Sequence, residues 1–476
     1  MRHLSGEDLT FWWTDSPVQP ITMAMLLVLD RRPDEARLRR ALERALVQVP
    51  RLRERVVDAP LGLTLPHWEP DPTFDLDYHF RCHGLTGAAD LTELFREVGP
   101  AYETPFDRSR PLWEARLYDW LRHGRAALFF KLHHAVADGI GANAIFAAMT
   151  DAEAELAAPP LPAKPLAVKG HWPAEAGLGI QVVEAVRDRL ALDLERARIA
   201  TGAVVDTIRH PGNLKRWIDT ARALVDSMRA GRHAPLTEFG RARRLSGIEL
   251  PFQEVRNVKT ALGGSMIDVI LTIMARAMGR WYASHGRADL SDLTTLVPVN
   301  LRRPEDWTDR AQVGNVATGL IIALPIRLAD PLDTHREVHR RVEARKADPS
   351  VGATPVLAEM LGVFPRPLVT WMAELTSGAV DFIVTNVPGI LATRYLAGAA
   401  IVAAYPFAPV AMQSPVSVAL YGYRDRLFIG INSDEAAMAD VEAFHEMILD
   451  SFRELRIAAD GASCRPSLRG RDDPAP

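Results

Sequence analysis

Residues 131–139, with the sequence KLHHAVADG, constrain this chain more than any other segment. The apolar run at 125–132 before the histidines is typical of a buried strand, and the run at 140–156 after them is typical of a helix. A histidine at the end of such a strand, with an acid nearby to orient it, suits a general base that takes a proton from a hydroxyl or thiol at neutral pH. The segment therefore predicts a strand–histidine–helix unit with catalytic potential.

A structural interpretation of the same residues stays open at this point. A lone histidine at a strand end is more often a hydrogen-bonded structural residue than a catalyst. Asp138 can act as the N-cap of the following helix by accepting hydrogen bonds from its first N–H groups. Gly139 suits a tight turn or a close backbone approach before that helix.

Composition narrows the class of protein. The chain has 476 residues, which is enough for two ordinary domains, and it is 48% hydrophobic and 24% charged, within the globular range. The net charge of -4 does not indicate a nucleic-acid partner. Cys82 and Cys464 match no metal or redox spacing, which fits a reducing, intracellular setting.

Targeting and membrane signals are weak in this sequence. The N-terminus has no apolar run followed by a small-residue cleavage site, so we expect a protein that is not secreted. The longest apolar run, at 396–412, contains Pro406 and Pro409, which argue against a spanning helix. Any membrane contact is therefore expected to be peripheral.

Strand and helix patterns occur in both halves of the chain and predict an α/β (α+β) fold. Residues 1–158 are expected to form an N-terminal domain that carries the histidines, and 235–460 a C-terminal domain. A Pro-rich linker and connecting helices are expected at 159–234, and a disordered tail at 461–476.

Three further motifs carry weaker signals. PLWEARL begins at Pro111, Leu112 and Trp113 and opens a predicted strand, where a buried aromatic is common. GGSMIDVILT at 263–272 predicts a helix start with Asp268 in its first turn. TNVPG at 385–389 predicts a turn after an apolar strand.

These motifs, with VPVNLR at 297–302 and YGYRDRLFIG at 421–430, resemble in identity and order those of the bacterial wax ester synthase/diacylglycerol acyltransferase family. That family lies within the HHxxxDG superfamily of CoA-dependent acyltransferases. The resemblance runs from about residue 4 to residue 452. The family has Asn-Asp where this chain has Ile267-Asp268, and Ile lacks the hydrogen-bonding groups of Asn.

The resemblance implies two chloramphenicol-acetyltransferase-like domains, each a mixed β-sheet with flanking helices, that meet at a central tunnel. It also implies transfer of a fatty acyl group from acyl-CoA to diacylglycerol or a long-chain alcohol. No cofactor beyond the acyl-CoA substrate, no metal and no nucleic acid is expected. The expected location is cytoplasmic, in peripheral contact with the inner membrane or with lipid inclusions.

The resemblance also implies roles for single residues. His134 is expected to be the general base and His133 an orienting residue, while Asp138 forms a structural ion pair with Arg302. Asp268 and the PLW residues are candidates for the substrate channel. For the oxyanion we expect donors among the backbone N–H groups at 387–389 and the side chains of Asn386, Ser414 and Ser417.

Residue types suggest further positions near the substrates. Arginines at a strand start are candidates for the CoA phosphates: Arg241, Arg243 and Arg244. Large apolar side chains that are candidates for an acyl channel, with ordinary core packing as the alternative, are Trp12, Trp13, Trp113, Phe129, Phe130, Phe407 and Met412.

Three alternative functions stay open. The first is an acyltransferase of the same fold that acts on an amine, a sugar alcohol or a polyketide hydroxyl. The second is a catalytically silent lipid-binding protein. The third is a metal hydrolase that uses His133, His134 and Asp138, although neighbouring strand residues point to opposite faces and make a poor shared site.

Overall fold

The computed structural model describes residues 2–155, 178–209, 239–300, 317–348, 364, 366–410 and 414–463. In these residues two six-stranded sheets and one three-stranded sheet are flanked by helices. Both large sheets mix parallel and antiparallel pairs. The predicted fold class, a mixed α/β protein with two sheet-rich domains, is confirmed.

The first large sheet holds the histidine strand, Ala126–His133, in its interior. All eight residues of this strand are buried, as expected for a sheet covered on both faces. The neighbouring pair Thr22 and His133 ends the ladder on one side. In spatial order the strands of the first sheet are Tyr395–Leu396, Ala399–Phe407, Thr22–Leu29, Ala126–His133, Trp113–Leu121 and Phe80–Ala89.

The second large sheet consists wholly of strands from the second half of the chain. Its interior strands Phe382–Ile390 and Val416–Tyr423 run parallel. In spatial order its strands are Ala317–Pro325, Asp292–Asn300, Phe382–Ile390, Val416–Tyr423, Arg426–Asp434 and Arg243–Pro251. The small sheet consists of Arg2–His3, His67–Pro70 and Glu54–Val57.

Helices pack on these sheets, and the buried apolar side chains form two hydrophobic cores. One core lies around the first sheet and extends to Leu245, Tyr421, Tyr423 and Phe428 of the second, and the other lies within the second half of the chain. Short 3-10 turns lie at Pro50–Arg53, Pro60–Gly62 and Arg122–Gly124. The described helices are Gly6–Thr14, Glu35–Gln48, Leu76–His79, Leu91–Glu103, Gly139–Met149, Leu178–Arg209, Phe252–Leu262, Met266–Ser284, Pro331–Lys346, Arg366–Ser377 and Val441–Ser463.

Two strands from the second half of the chain, Tyr395–Leu396 and Ala399–Phe407, complete the first sheet. The longer one, Ala399–Phe407, is the crossover strand and pairs antiparallel with Thr22–Leu29. The Ala400 N–H donates to Asp30 Oδ1 at 2.8 Å, across 370 residues of sequence. The C-terminal half therefore contributes to the sheet that carries the histidines, and the domain limits expected at 158 and 235 stay a prediction.

The prediction of a turn at TNVPG is wrong, because the strand Phe382–Ile390 continues through this motif. Thr385, Asn386 and Val387 pair with Ala419, Leu420 and Tyr421, and the register shifts only between Val387 and Ile390. Pro388 has no N–H and sits at this irregularity, where one ladder bond is lost. A Cβ on Gly389 would lie 1.6 Å from the Gly422 carbonyl oxygen, so the strand needs glycine there.

The helix after the histidines is shorter than the run at 140–156 suggests. It begins at Gly139 and ends at Met149, and Asp151 forms an isolated antiparallel bridge with Tyr395. In the described part of the chain, no single helix is long and apolar enough to cross a membrane. Phe252–Leu262 and Met266–Ser284 meet that criterion only as a pair, and they are bent by 97°.

Candidate active site

The backbone around the two histidines is held by neighbouring segments. The His133 N–H donates to the Leu112 carbonyl at 3.0 Å, and the His134 N–H donates to the Ile21 carbonyl at 2.9 Å. Leu112 thus acts through its backbone rather than by facing substrate. The histidine pair is fixed where two strands of the first sheet meet.

His134 faces a cavity. Its ring is half-buried and lies against Phe11, with 4.3 Å between the ring centroids and a tilt of 37°. The cavity encloses about 720 Å³ of empty space, including its opening to solvent. Among the described side chains that line it, only His134, Asn143 and Thr385 are polar. A partly shielded imidazole at an apolar cavity can take a proton from a bound hydroxyl.

The cavity lies between the two halves of the molecule. Its lining comes from the first sheet, the helix Gly139–Met149, the crossover strand and the second sheet. The lining residues are Met23, Ala24, Met25, Leu27, Phe130, Leu132, His134, Gly139, Ala142, Asn143, Ile145, Phe146, Met149, Thr385, Val387, Pro406, Phe407, Ala408 and Ala419.

His133 does not line the cavity and is only 1% exposed. Its Nδ1 accepts the Ala135 N–H at 3.0 Å, which fixes the ring. Its Nε2 lies 3.8 Å from Asp15 Oδ1, beyond hydrogen-bond length but close enough for a favourable charge interaction. This placement suits the orienting role, which stays a prediction.

Asp15 is a residue that the sequence did not single out. The Arg108 guanidinium donates to its carboxylate at 2.9 Å, and so does the Ile21 N–H. Burial raises the pKa of Asp15, but the His133 imidazole, Arg108 and the Ile21 N–H outweigh it, so the pKa lies below its usual value. Because the Ile21 carbonyl holds the His134 N–H, Asp15 supports both histidines.

Asp138 is the N-cap of the helix Gly139–Met149. Its carboxylate accepts the Ile140 N–H at 3.1 Å and the Gly141 N–H at 2.8 Å. The capping interpretation is therefore correct. Arg302 lies outside the described residues, so the Asp138–Arg302 ion pair stays a prediction.

Gly139 lies where the helix meets the second sheet. A Cβ at this position would lie 2.9 Å from Val387 Cγ2, tighter than a normal contact. Close by, the Asn143 side-chain amide donates to the Pro388 carbonyl. The TNVPG strand thus packs directly on the helix that follows the histidines.

None of the three side chains expected as alternative oxyanion donors, Asn386, Ser414 and Ser417, lines the cavity. Asn386 is exposed and does not line the cavity, because Thr385 and Val387 occupy the cavity side of their strand. The Ser414 hydroxyl is buried within hydrogen-bond distance of the Asp381 and Val416 carbonyls, at 3.1 and 3.0 Å. Ser417 is buried and does not line the cavity either. Thr385 is the hydroxyl that does, and strand alternation is the signal that identifies it.

Asp268 forms part of a helix start away from the cavity lining. It is fully buried, accepts the Ser265 N–H at 2.7 Å and lies 3.0 Å from His339 Nδ1. Gly263 and Gly264 both have a φ of 80°, which glycine adopts without strain. The GGSMID motif therefore shapes and caps a helix, and Ile267 packs at the edge of the second core.

The remaining candidates separate into lining and core residues. Phe130 and Phe407 line the cavity. Trp113 donates its indole N–H to the Leu52 carbonyl at 2.7 Å. Trp113 and its neighbour Leu112 both belong to the first core. Pro111 does not line the cavity. Core residues or residues packed against the core are Trp12, Trp13 and Phe129, whereas Met412 lies outside the described residues.

Arg243 is unsuited to bind a phosphate. It forms an ion pair with Asp434 at 2.8 Å, and both side chains are buried. Arg244 is half-buried and pairs with Glu435 at 2.9 Å, while Arg241 is exposed.

Among the described residues, no group of three or more His, Cys, Asp or Glu side chains is arranged to hold a metal ion.

Family models and similar sequences both indicate one family for this chain. Residues 4–270 match the model of the wax ester synthase/diacylglycerol acyltransferase catalytic domain, and 313–456 match that of the WS/DGAT C-terminal domain. A putative diacylglycerol O-acyltransferase of Mycobacterium tuberculosis is 29% identical over 92% of this chain and 88% of its own length. A probable diacylglycerol O-acyltransferase of the same species is 26% identical over 96% of both chains.

Solved structures share the fold. The wax ester synthase/diacylglycerol acyltransferase from Marinobacter aquaeolei VT8 has a TM-score of 0.66 at 21% identity, over 97% of this chain and all of that one. A starter condensation domain of rhizomide synthetase in complex with C8-CoA has a TM-score of 0.60 at 18% identity, over 97% of this chain and 95% of that one. With two matched domains that together span most of its length, the chain belongs to the wax ester synthase/diacylglycerol acyltransferase family.

Proposed function

We propose that this protein is an acyl-CoA-dependent O-acyltransferase that moves a fatty acyl group to the hydroxyl of diacylglycerol or of a long-chain alcohol, with His134 as the general base. The observation that carries the proposal is the imidazole of His134 at an apolar cavity between the two halves of the chain. Family membership supplies the reaction class.

The base acts on the acceptor. A neutral hydroxyl is a poor nucleophile, so His134 takes its proton as the oxygen attacks the thioester carbonyl. The tetrahedral intermediate collapses with cleavage of the C–S bond. The imidazolium then gives its proton to the departing sulfur, so that an ester and CoA leave with His134 neutral again.

The oxyanion of that intermediate needs a positioned donor. Among the described lining residues, the Thr385 hydroxyl is one of only three polar groups, alongside His134 and Asn143. The Asn143 amide is already bonded to the Pro388 carbonyl. The side-chain candidates are therefore the Thr385 hydroxyl and the second N–H of Asn143, in place of Asn386, Ser414 and Ser417, which do not line the cavity.

The acceptor is tested with purified protein. We expect palmitoyl-CoA to release CoA thiol when diacylglycerol or hexadecanol is present, with the matching triacylglycerol or wax ester detected by chromatography. Amine, sugar-alcohol and polyketide acceptors in the same assay test the alternative within the superfamily. Absence of CoA release with every acceptor would instead favour a silent lipid-binding protein.

Contact with a membrane or lipid inclusion, on its cytoplasmic side, belongs to the same proposal, because the acceptors reside in such surfaces. Support comes from the helix Arg366–Ser377, where Leu368 and Trp371 are 37% and 56% exposed. This helix packs against Gly6–Thr14, which carries the Phe11 ring that lies on His134. Tryptophan is enriched at membrane interfaces.

Flotation with phosphatidylcholine vesicles that contain diacylglycerol tests this contact. We expect the protein to float with the vesicles and the double variant Leu368→Ala/Trp371→Ala to float less. Trp120→Ala is the matched control, since Trp120 is 67% exposed on the first half of the chain. Equal flotation of both variants would refute this surface.

A further inference from the structure

A second cavity, in the second half of the chain, is lined by four arginines. They are Arg276, Arg280, Arg287 and Arg327, and no Asp or Glu is among the described residues that line it. The cavity, here called the arginine cavity, encloses about 880 Å³ of empty space, including its opening to solvent. A concave surface that carries one sign of charge attracts ligands of the opposite sign.

The arginine cavity lies away from His134. Its lining includes residues just before the strand Asp292–Asn300, which begins there. Leu296 of that strand pairs with Ile383, two residues before Thr385 in the wall of the cavity at His134. From the start of the strand to the level of Thr385 is about 20 Å, at about 3.3 Å per residue. The arginines therefore form a separate site.

A turn after the helix Met266–Ser284 brings Arg287 to the arginine cavity. Gly286 has a φ of 78°, which glycine adopts without strain. The Arg287 N–H donates back to the Tyr282 carbonyl at 2.9 Å, so the chain reverses at this point. The Arg287 guanidinium pairs with Asp289 at 3.2 Å. Its charge is thus balanced by a carboxylate on the same turn.

The charges of the other three arginines are only partly balanced. Arg276 and Arg280 both donate from Nη2 to the same Glu454 oxygen, Oε2, which lies 2.7 Å from Arg276. Arg327 is exposed and forms no ion pair with a described residue. In the described part of the chain, these three guanidinium groups therefore share one carboxylate, and a surplus of two positive charges remains.

Two of these side chains have N–H donors for a ligand. Arg276 forms part of the wall, because its Nη1 donates to the Ala329 carbonyl at 3.0 Å. Arg280 is half-buried and, among the described residues, bonds to Glu454 through Nη2 alone. A guanidinium has five N–H donors in a planar fork that matches phosphate oxygens. Arg280 and Arg327 are thus the residues placed to bind an anion.

We propose that the arginine cavity binds a phosphate monoester through Arg280 and Arg327, at a site separate from acyl transfer. A phosphate monoester carries a charge of about −1.5 to −2 at pH 7 and has three strong acceptor oxygens, which matches the surplus at this cavity. A phosphodiester or a carboxylate carries a single charge and leaves part of the surplus unbalanced. The same group occurs in soluble compounds such as glycerol 3-phosphate and in the headgroup of phosphatidic acid.

Calorimetric titration of the full chain with glycerol 3-phosphate tests the site, at low ionic strength because salt screens exposed charges. We expect binding to the wild type, and at least about a tenfold weaker affinity in Arg280→Gln/Arg327→Gln, since hydrogen bonds to charged groups are the strong ones. Arg336→Gln is the matched control. It removes the same charge from an exposed side chain that pairs with Asp333 and does not line the cavity.

A single variant guards against loss of folding. Arg280 contacts Glu454, so its replacement can loosen the helix, whereas exposed Arg327 has no described ion pair to lose. Arg327→Gln should weaken binding by about fivefold while thermal unfolding stays at the wild-type temperature. No binding to the wild type, or equal affinity of the wild type and both variants, overturns the proposal.

Vesicle flotation distinguishes the two sources of the phosphate. Phosphatidylcholine vesicles contain either phosphatidic acid, a monoester, or the same molar fraction of phosphatidylglycerol, a diester. Preference for phosphatidic acid that is lost in the double variant assigns the site to a lipid headgroup. Binding of glycerol 3-phosphate without that preference assigns it to a soluble ligand. Equal flotation with both lipids and no binding of glycerol 3-phosphate shows general charge attraction only and overturns the proposal.

Kinetics separate this site from the proposed function. CoA also carries a phosphate monoester, but sites that share no contacts act independently, so the double variant should keep the KM for palmitoyl-CoA within about twofold. A raised KM for palmitoyl-CoA, without a matching rise for palmitoyl-dephospho-CoA, assigns the arginine cavity to the donor and overturns a separate site. A wild type that binds glycerol 3-phosphate but releases no CoA overturns the proposed function alone.

Discussion

Two helices of this protein begin beside a glycine and a buried aspartate, one in each half of the chain. At the first, Asp138 caps the helix Gly139–Met149, and the neighbouring histidine faces an apolar cavity. At the second, Asp268 binds the Ser265 N–H and His339 within the helix start Met266–Ser284, outside the described cavity lining. The local chemistry is similar, but only the first site adjoins a space for substrate.

The comparison shows that what packs around a helix cap decides whether it adjoins the cavity. Gly139 permits contact with Val387 of the second sheet, so the first helix closes a space between the two halves. Gly264 instead allows a left-handed backbone around the Asp268 carboxylate within one half. The glycines look alike in sequence and serve different physical purposes.

The largest effect on kcat is expected at His134, and His339 at the second helix start is its comparison. His134→Ala should lower kcat by about 10²–10⁴-fold, the usual contribution of a positioned general base. His339→Ala should leave kcat close to that of the wild type, because His339 contacts Asp268 and not the cavity. CoA release by both purified variants measures the difference, and near wild-type turnover of His134→Ala would break the comparison.

Alanine at the two glycines sharpens the contrast. Gly139→Ala should cost about 1–3 kcal/mol of unfolding free energy through overpacking against Val387. Val387→Ala in the same chain should recover most of that loss. Gly264→Ala should cost at least about 1–2 kcal/mol, because its φ of 80° is strained for alanine and a Cβ there would also lie 2.5 Å from Asp268 Oδ2. Urea unfolding of these three variants is the measurement; failure of Val387→Ala to rescue would contradict the packing argument.

The first cap separates helix capping from the predicted ion pair by the size of the stability loss. Asp138→Ala should cost about 1 kcal/mol if capping is the main role of this side chain. The predicted ion pair with Arg302 would raise the cost to about 3–5 kcal/mol, because one buried charge would lose its partner. A double-mutant cycle of Asp138→Ala and Arg302→Ala measures that coupling, and additive losses would exclude the pair.

The smallest effect concerns pH. Asp15 has a pKa below its usual value in the folded protein, so its contribution to stability is present above the unfolded pKa of about 3.9 and is lost as pH falls through the folded pKa. The wild type should therefore exceed Asp15→Asn in unfolding free energy at pH 6, and the gap should close on acidification. Urea unfolding between pH 3 and pH 7 checks this, and a constant gap would refute it.

Much of the fold follows from local sequence pattern. The strand predicted at 125–132 is found at Ala126–His133, because a continuous apolar run bounded by polar residues is a strong local signal. TNVPG was predicted as a turn because Pro and Gly usually mark turns, whereas here the parallel neighbour Val416–Tyr423 holds the segment as a strand. A strand assignment would have placed Thr385 and Val387 on one face and Asn386 on the other.

The site was only partly predictable. His134 follows from its motif, because a histidine at the end of a buried strand is a local feature. Asp15 does not, because its proximity to His133 depends on how a distant loop packs on the sheet. Arg243 was a candidate for the CoA phosphates because it lies in a basic run, but its ion pair with Asp434 is a tertiary contact that no local pattern reveals.

The crossover strand Ala399–Phe407 has a consequence for synthesis of the protein. Until the ribosome has made that strand, Thr22–Leu29 presents a free hydrogen-bonding edge that can associate with other nascent chains. A fragment that ends after the histidine helix would keep this exposed edge permanently. The catalytic half is thus expected to aggregate when expressed alone, so the two halves have to be inherited and engineered as one unit.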